Sequence, residues 1–221
     1  MSAQPESTAT AVVWDLPTRL FHWLVVIAIA VSWWSAENRV MDVHRYSGYT
    51  LLGLLVFRIY WGFLGSSTAR FAQFLRGPTA IARYVRDPTT HTDPGHNPLG
   101  GLSVIVMLLV LSAQVAIGLF VTDIDGLESG PLSHLVSFET SRTLADVHEI
   151  LFNVLLAFIA LHVAAILFYL FVRRTNLVSA MLTGRRMTMT RMTAMKAASF
   201  WMIWPGVVLA AIVVWYVTRT G

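Results

Sequence analysis

Two histidines, His148 and His162, lie fourteen residues apart within one long apolar run, residues 146–173. An α-helix turns by about 100° per residue, so this spacing returns to within about 40° of the starting direction. Both imidazoles therefore lie on one face of a helix, about 21 Å apart along its axis. Ionisable side chains are costly inside a lipid bilayer, so this pair predicts a functional site with ligands for two stacked cofactors.

Haem b is the cofactor that suits this pattern, because it is flat, largely apolar and binds between helices. Two neutral histidines on opposite helices fill both axial positions of its iron, which then changes oxidation state without binding oxygen or substrate. The chain contains no cysteine, which excludes cysteine-ligated iron–sulfur clusters and covalent c-type haem. Two haems at two depths would carry electrons part of the way across the membrane.

The composition indicates an all-α integral membrane protein, since 56% of the 221 residues are hydrophobic and only 13% are charged. Five apolar runs are long enough to cross the ~30 Å hydrocarbon core as helices. They are residues 17–36, 44–64, 99–122, 146–173 and 200–218. We expect an N-terminal cytoplasmic tail (residues 1–16), a bundle of four haem-binding transmembrane helices (residues 17–185), and a basic interfacial segment followed by a fifth span (residues 186–221).

The basic residues predict the orientation of these helices. Eleven of the sixteen Lys and Arg residues fall near the N-terminus or in the connections between spans two and three and between spans four and five. Positive charge marks cytoplasmic loops, so we expect a bacterial inner-membrane protein with a cytoplasmic N-terminus and a periplasmic C-terminus. The connection at residues 123–146 would then be external. Its acidic residues would attract a basic partner, or simply form a solvated loop depleted of positive charge.

This orientation places four histidines at two matched depths. His44 begins span two on the external side, level with His148, whereas His22 lies near the cytoplasmic side, level with His162. The orientation is assigned from Lys and Arg alone, so the agreement in depth between the histidines of each pair is not built into it. We therefore predict that these four side chains are iron ligands, two at each depth.

Two arginines are candidate partners for the haem carboxylates. Arg58 follows His44 by fourteen residues, so it lies on the same face and reaches the depth of His162. A buried arginine needs an anion, and a propionate of the cytoplasmic haem would serve, although Arg58 could instead extend to the interface. Arg45, beside His44, is a candidate for a propionate of the external haem. We predict no ligand role for the remaining histidines His91, His96 and His134.

Other interpretations of the histidines remain open. A single histidine in a membrane helix is often only hydrogen-bonded within the bundle, and a proton relay is a further alternative. A zinc site needs three or four ligands converging within about 2 Å of one ion. Because these histidines are divided between two depths, their arrangement argues against one such ion.

The segment VWDLPTRLFHWLVV, residues 13–26, resembles the start of the bacterial cytochrome b561-type family. That family includes the cytochrome b subunit of membrane-bound nickel–iron hydrogenases and is related to the formate dehydrogenase gamma subunit. Its R-x-x-H-W pattern is matched by Arg19, His22 and Trp23. DVHRYSGY, residues 42–49, resembles the second-span ligand region, and the paired histidines of residues 146–173 resemble the fourth helix.

The resemblance covers roughly residues 13–185 and implies two b haems. It assigns His22 and His162 to one haem and His44 and His148 to the other. It also implies electron exchange between an external partner and membrane quinone, which in the related dehydrogenases lies near the cytoplasmic haem. No sequence pattern identifies the residues that would contact quinone. Asp15 and Arg19 are the candidates.

We therefore expect an electron-transfer component of a quinone-linked respiratory-chain oxidoreductase, whose external partner is a c-type cytochrome or a hydrogenase. The alternative is a self-contained di-haem quinone oxidoreductase such as a superoxide oxidase. Superoxide is an anion, and a basic external surface would steer it toward the protein. The acidic external loop therefore counts against the superoxide oxidase alternative. A haem-free transporter or structural bundle is the third hypothesis. No nucleic-acid partner is expected, and a homo-oligomer is left open.

Overall fold

The computed structural model describes residues 9–87, 95–188 and 195–220. Five of its helices are long and apolar enough to cross a membrane, which confirms the predicted all-α membrane bundle with a fifth span. They are α1 (Leu16–Glu37), α2 (Met41–Leu64), α5 (Pro98–Gly118), α6 (Phe138–Phe171) and α8 (Ile203–Thr220). Three short helices lie between them: α3 (Phe71–Phe74), α4 (Pro78–Arg86) and α7 (Leu177–Thr183). Two strands, β1 (Ala9–Val12) and β2 (Arg185–Thr188), form a small antiparallel sheet.

Side-chain caps determine where the spans begin. Asp15 accepts a hydrogen bond from the Thr18 backbone N–H at 2.8 Å, and Asn97 accepts one from Gly100 N–H at 2.7 Å. A proline in the first turn of both α1 and α5 favours the same start, because its fixed φ suits a helix and its missing N–H has no partner there.

Helix α6 begins eight residues before the predicted start of the fourth span, so the prediction of a loop through residue 146 was wrong. Ser137 caps the helix by accepting from Thr140 N–H at 3.2 Å. Its 34 residues correspond to about 51 Å, well beyond the ~20 residues that a bilayer requires. The first turns are polar, so hydropathy did not reveal them, and they form a platform beyond the apolar span.

The helices are arranged as two pairs, α1 along α2 and α5 along α6, and the pairs meet where α2 contacts α5. The buried core of the bundle comprises Ala28, Leu51, Leu55, Leu111, Val115 and Leu155. Leu155 is seven residues from both His148 and His162, so this apolar layer lies between the two histidine levels. Helix association in lipid depends on close packing, which these side chains provide.

Helix α8 packs on α2, outside the two pairs. Gly206 permits this contact, because an added Cβ would lie 2.5 Å from Cδ1 of Tyr60. The Tyr60 hydroxyl also donates to the Met202 carbonyl at 2.9 Å. The fifth span is therefore attached to α2.

The N-terminal segment and two basic connections meet at one end of the bundle, which we call the basic end. Val13 N–H donates to the Gly184 carbonyl at 2.8 Å, and Ser67 N–H donates to the Lys196 carbonyl at 3.0 Å. Part of the expected N-terminal tail is thus strand β1, and part of the expected interfacial segment is strand β2. Residues 189–194 of that segment lie outside the described residues.

The opposite end, which we call the acidic end, carries a hairpin at residues 119–132, here named the acidic hairpin. Gly130 N–H donates to the Val121 carbonyl at 2.8 Å, and Asp123 N–H donates to the Glu128 carbonyl at 2.9 Å. Gly126 adopts a φ of 71° at its turn, a conformation that glycine accommodates readily.

Candidate haem sites

The acidic end brings together His44 of α2 and His148 of α6. Their ring centroids are 6.3 Å apart and their planes are inclined by 82°. Two imidazoles that share one metal ion at about 2 Å from each nitrogen have their centroids about 6 Å apart. The two rings also come from different helix pairs, so the site lies between the pairs, where a flat group would be bound.

A local hydrogen-bond network fixes the orientation of His44. Its Nδ1 donates to the Ser32 carbonyl of α1 at 2.9 Å, since a carbonyl oxygen only accepts. The hydroxyls of Ser32 and Ser47 are 2.6 Å apart, and Ser47 Oγ donates to the His44 carbonyl at 2.8 Å. With the proton on Nδ1, the lone pair of Nε2 is left for a metal ion, which is the usual state of a metal-bound histidine.

His148 is positioned by close packing against α5. An added Cβ on Gly118 would lie 2.9 Å from His148 Cε1, so glycine makes room for the ring. His148 Nδ1 is buried and makes no hydrogen bond, although the Gln114 backbone lies close to the ring. Close packing against α5 therefore holds the imidazole in place, with the Gln114 backbone as a neighbouring partner for the ring.

The second pair, His22 of α1 and His162 of α6, lies toward the basic end. The two rings are close enough to interact electrostatically, and His22 Nδ1 is buried with no hydrogen-bond partner. These residues again come from different helix pairs. Among the described residues, no group of three or more His, Asp or Glu side chains could hold a metal ion, so the zinc interpretation gains no support.

Arg58 is buried beside the basic-end pair, with only 3% of its surface exposed. Its guanidinium carbon lies 4.9 Å from the ring centroid of Phe71 and 5.9 Å from that of Phe21. One guanidinium nitrogen, NH1, has no hydrogen-bond partner. The guanidinium is therefore buried within the bundle with one nitrogen unused, so its burial gives no support to the alternative in which Arg58 extends to the interface.

Most of the chain matches one known protein family. The sequence model of the prokaryotic cytochrome b561 family matches residues 13–184, most of the chain. The chain belongs to the prokaryotic cytochrome b561 family. Comparisons with curated proteins and with solved structures returned no match.

Membership of the cytochrome b561 family makes this protein a membrane electron-transfer protein that binds haem b. The matched region contains all four histidines and the helices α1, α2, α5 and α6, and it ends before α8. The geometry fits the cofactor, because each histidine pair spans the space between two helix pairs. Haem b binding and the family resemblance are thus confirmed.

His96, for which no ligand role was predicted, lies near Arg58 and His162 at the basic end. Its ring lies between Trp14 and Phe74, with centroid distances of 4.6 and 4.8 Å. Part of the residue is accessible, but its Nδ1 atom is buried and has no hydrogen-bond partner. Burial, assisted by the charges of Arg58 and His162, lowers the pKa of His96 from 6.5 to about 3. The His96 ring is therefore neutral at pH 7. The helix cap Asn97, the next residue in the sequence, is the signal that places His96 at the end of the bundle.

The two quinone-contact candidates take different positions at the basic end. Asp15 uses both carboxylate oxygens, one for the Thr18 backbone and one for Trp61 Nε1 at 2.9 Å. Arg19 has a buried Nε with no hydrogen-bond partner. Asp15 is therefore accounted for by the structure of the α1 terminus, whereas Arg19 retains a free donor.

Arg45 is directed at protein carboxylates. It forms ion pairs with Asp42 at 2.5 Å and with Glu128 of the acidic hairpin at 2.7 Å. Its predicted contact with a haem propionate stays a prediction, while the observed pairs connect the hairpin to the helix that carries His44. His134 is exposed in a short turn after the hairpin, and His91 lies outside the described residues.

Proposed function

We propose that this protein binds two b haems and passes electrons between an external redox protein and membrane quinone. The observation that carries the proposal is the 6.3 Å separation of His44 and His148 on facing helices. His162 follows His148 by fourteen residues on the same helix, and its partner His22 comes from the opposite helix pair. Each haem would supply one-electron redox chemistry when bound.

The protein's own residues would hold, separate and neutralise the two groups. His44 and His148 would ligate the acidic-end haem, and His22 and His162 the basic-end haem. The buried layer around Leu155 excludes water between them. At the basic end, the unpaired NH1 of Arg58 and the neutral ring of His96 would donate hydrogen bonds to a propionate, which supplies the anion that a buried arginine needs.

We propose that the basic end faces the cytoplasm and the acidic end the periplasm of a bacterial inner membrane. The N-terminal segment and both basic connections share one end through the backbone contacts of Val13 and Ser67, as the distribution of Lys and Arg requires. Quinone would exchange electrons at this basic end, where several buried polar atoms lack protein partners, among them Thr68 Oγ1 and Arg19 Nε.

Haem content tests the ligand assignment. The purified wild-type protein should contain two haems per polypeptide. His22→Ala or His162→Ala should remove one haem, and His44→Ala or His148→Ala the other, as measured by haemochrome absorbance against protein concentration. Retention of two haems in any of these variants would contradict the assignment, and a single haem in the wild-type protein would contradict the proposal as a whole.

Quinol reduction of the single-haem variants tests the position of the quinone site. A short-chain quinol should reduce the remaining haem of His44→Ala, because the basic-end haem is retained. It should not reduce the remaining haem of His162→Ala at a comparable rate. The opposite pattern would move quinone exchange to the acidic end.

The acidic end gives no support to superoxide as the external reactant. An anion would be guided by uncompensated positive charge. Arg45, next to His44, is instead paired with Asp42 and Glu128. This pairing favours an external partner that carries positive charge.

A further inference from the structure

The acidic hairpin is held rigidly above the acidic-end histidine pair. Ser141 Oγ of α6 donates to the Phe120 carbonyl at 2.6 Å, and Arg142 donates to the Thr122 carbonyl at 3.0 Å. Glu128, which follows the turn of the hairpin, pairs with Arg45, the residue after His44. Ser141 precedes His148 by seven residues, or about 10 Å along the helix axis. A molecule seated on this hairpin would therefore be close to the acidic-end haem.

The turn of the hairpin exposes large apolar side chains. Ile124 is 76% exposed and Leu127 is 82% exposed. Phe138, 58% exposed at the start of α6, lies beside the turn, because a Cβ on Gly126 would be 3.9 Å from its ring. These residues precede the part of α6 needed to cross a bilayer, so lipid tails do not account for their exposure. Apolar surface of this kind marks an interaction site.

Carboxylates surround this apolar surface. Asp125 is exposed between the two apolar residues of the turn, and Asp123 and Glu128 flank them. An apolar centre with a charged rim is the usual composition of a protein–protein interface, and the sign of the rim selects the partner. The rim here is negative, which disfavours the anionic surface of a bilayer and favours a basic protein.

We propose that the turn of the acidic hairpin is the docking site of a small, soluble, basic redox protein. Ile124 and Leu127 would bury themselves against an apolar patch around its cofactor edge, while Asp125 would meet its lysines. This inference rests on the proposed function, since it names the chemistry of the external partner. It assigns specificity to three residues of a loop that contains no haem ligand.

Electron transfer between the purified two-haem protein and a basic c-type cytochrome tests the inference. In Ile124→Ser/Leu127→Ser, the cytochrome concentration at half-maximal rate should rise about tenfold or more, because the change truncates two buried interface anchors. Asp125→Asn should lower the association rate and weaken its dependence on salt. Val85→Ser is the matched control, since Val85 is 60% exposed at the basic end; it should leave the rate unchanged.

The inference is overturned if the double variant and Val85→Ser give the same kinetics. It is also overturned if an acidic redox protein of similar potential reacts as fast as the basic one with the wild type. If the turn instead inserted into lipid, the double variant would lose affinity for anionic vesicles while its kinetics with the cytochrome stayed unchanged. Haem content and quinol reduction are measured on the same samples, so a failure of the proposed function is seen separately.

Discussion

Gly118→Ala is the most direct test of how the acidic-end haem is held. The added Cβ would lie 2.9 Å from His148 Cε1 and 3.4 Å from its Nδ1. Carbon atoms pack at about 3.5–4.0 Å, so the ring would have to move by about 0.6–1 Å. A cofactor site tolerates displacements of only about 0.5 Å. The substitution should therefore disturb ligation by His148 without removing the ligand.

The expected result is a 10- to 100-fold loss of affinity for the acidic-end haem, the usual effect of disturbing a ligand's support. The basic-end haem should be unaffected. Helix α5 itself should not weaken, because alanine favours a helix over glycine by about 1 kcal/mol. Haem release to an apoprotein acceptor, followed by absorbance, measures the affinity. Gly53→Ala is the matched control, since its Cβ would meet only one atom, Cγ2 of Val214, at 3.3 Å and would touch no histidine.

Two results would refute this reasoning. If Gly118→Ala bound both haems as tightly as Gly53→Ala, His148 would not be held against α5 in the haem-loaded protein. If it lost the basic-end haem first, the assignment of His148 to the acidic-end haem would be wrong. The haem lost in His44→Ala identifies the acidic-end signal in both cases.

Arg58→Met should lower the midpoint potential of the basic-end haem by about 59 mV, which is a tenfold change in the equilibrium constant of a one-electron reduction. The physical reason is that a buried cation stabilises the reduced form. A redox titration measures the potential. Gly62→Ala should have a smaller effect of the same sign, since its Cβ would clash with the Phe71 ring that covers Arg58. Burial, followed by the hydrogen bond to Tyr169, raises the pKa of Tyr84 to about 12. The folded state therefore favours the neutral phenol of Tyr84. The stability that this preference provides is complete below about pH 10 and is lost as the pH rises through about 12. Between pH 8 and pH 11 the wild type should therefore lose more stability than Tyr84→Phe, measured by unfolding in detergent. Gly206→Leu should loosen α8 from α2, seen as faster proteolysis before α8, with both haems retained.

Local patterns were sufficient to predict the spans and the histidine depths. Apolar length defines a membrane helix, and the helical period places His148 and His162 on one face whatever surrounds them. The predicted pairing of His44 with His148 agrees with the structure, because two helices of opposite direction bring matched depths together. These features depend on one helix at a time or on simple alternation across the membrane.

Features that depend on contacts between distant segments were not predictable. The pair between Arg45 and Glu128 joins residues 83 positions apart, so nothing near Arg45 in the sequence indicated it. The Asn97 cap places His96 at the bundle end, but the packing of its ring depends on Trp14 and Phe74, which approach from separate segments. The outer turns of α6 escaped prediction for another reason, since their stability comes from the Ser137 cap and contacts with the hairpin instead of hydropathy.

In the proposed two-haem arrangement, helix α6 would contribute one ligand to each haem, so the two sites would share one continuous element. No glycine or proline occurs between His148 and His162, so the fourteen-residue spacing is maintained by a continuous helix. The other ligands come from separate helices, His22 from α1 and His44 from α2. Each site could then lose its haem independently, while the continuous α6 helix would keep its two ligands at a fixed spacing. That spacing would not change when loops or partners move, which is what an electron path through lipid requires.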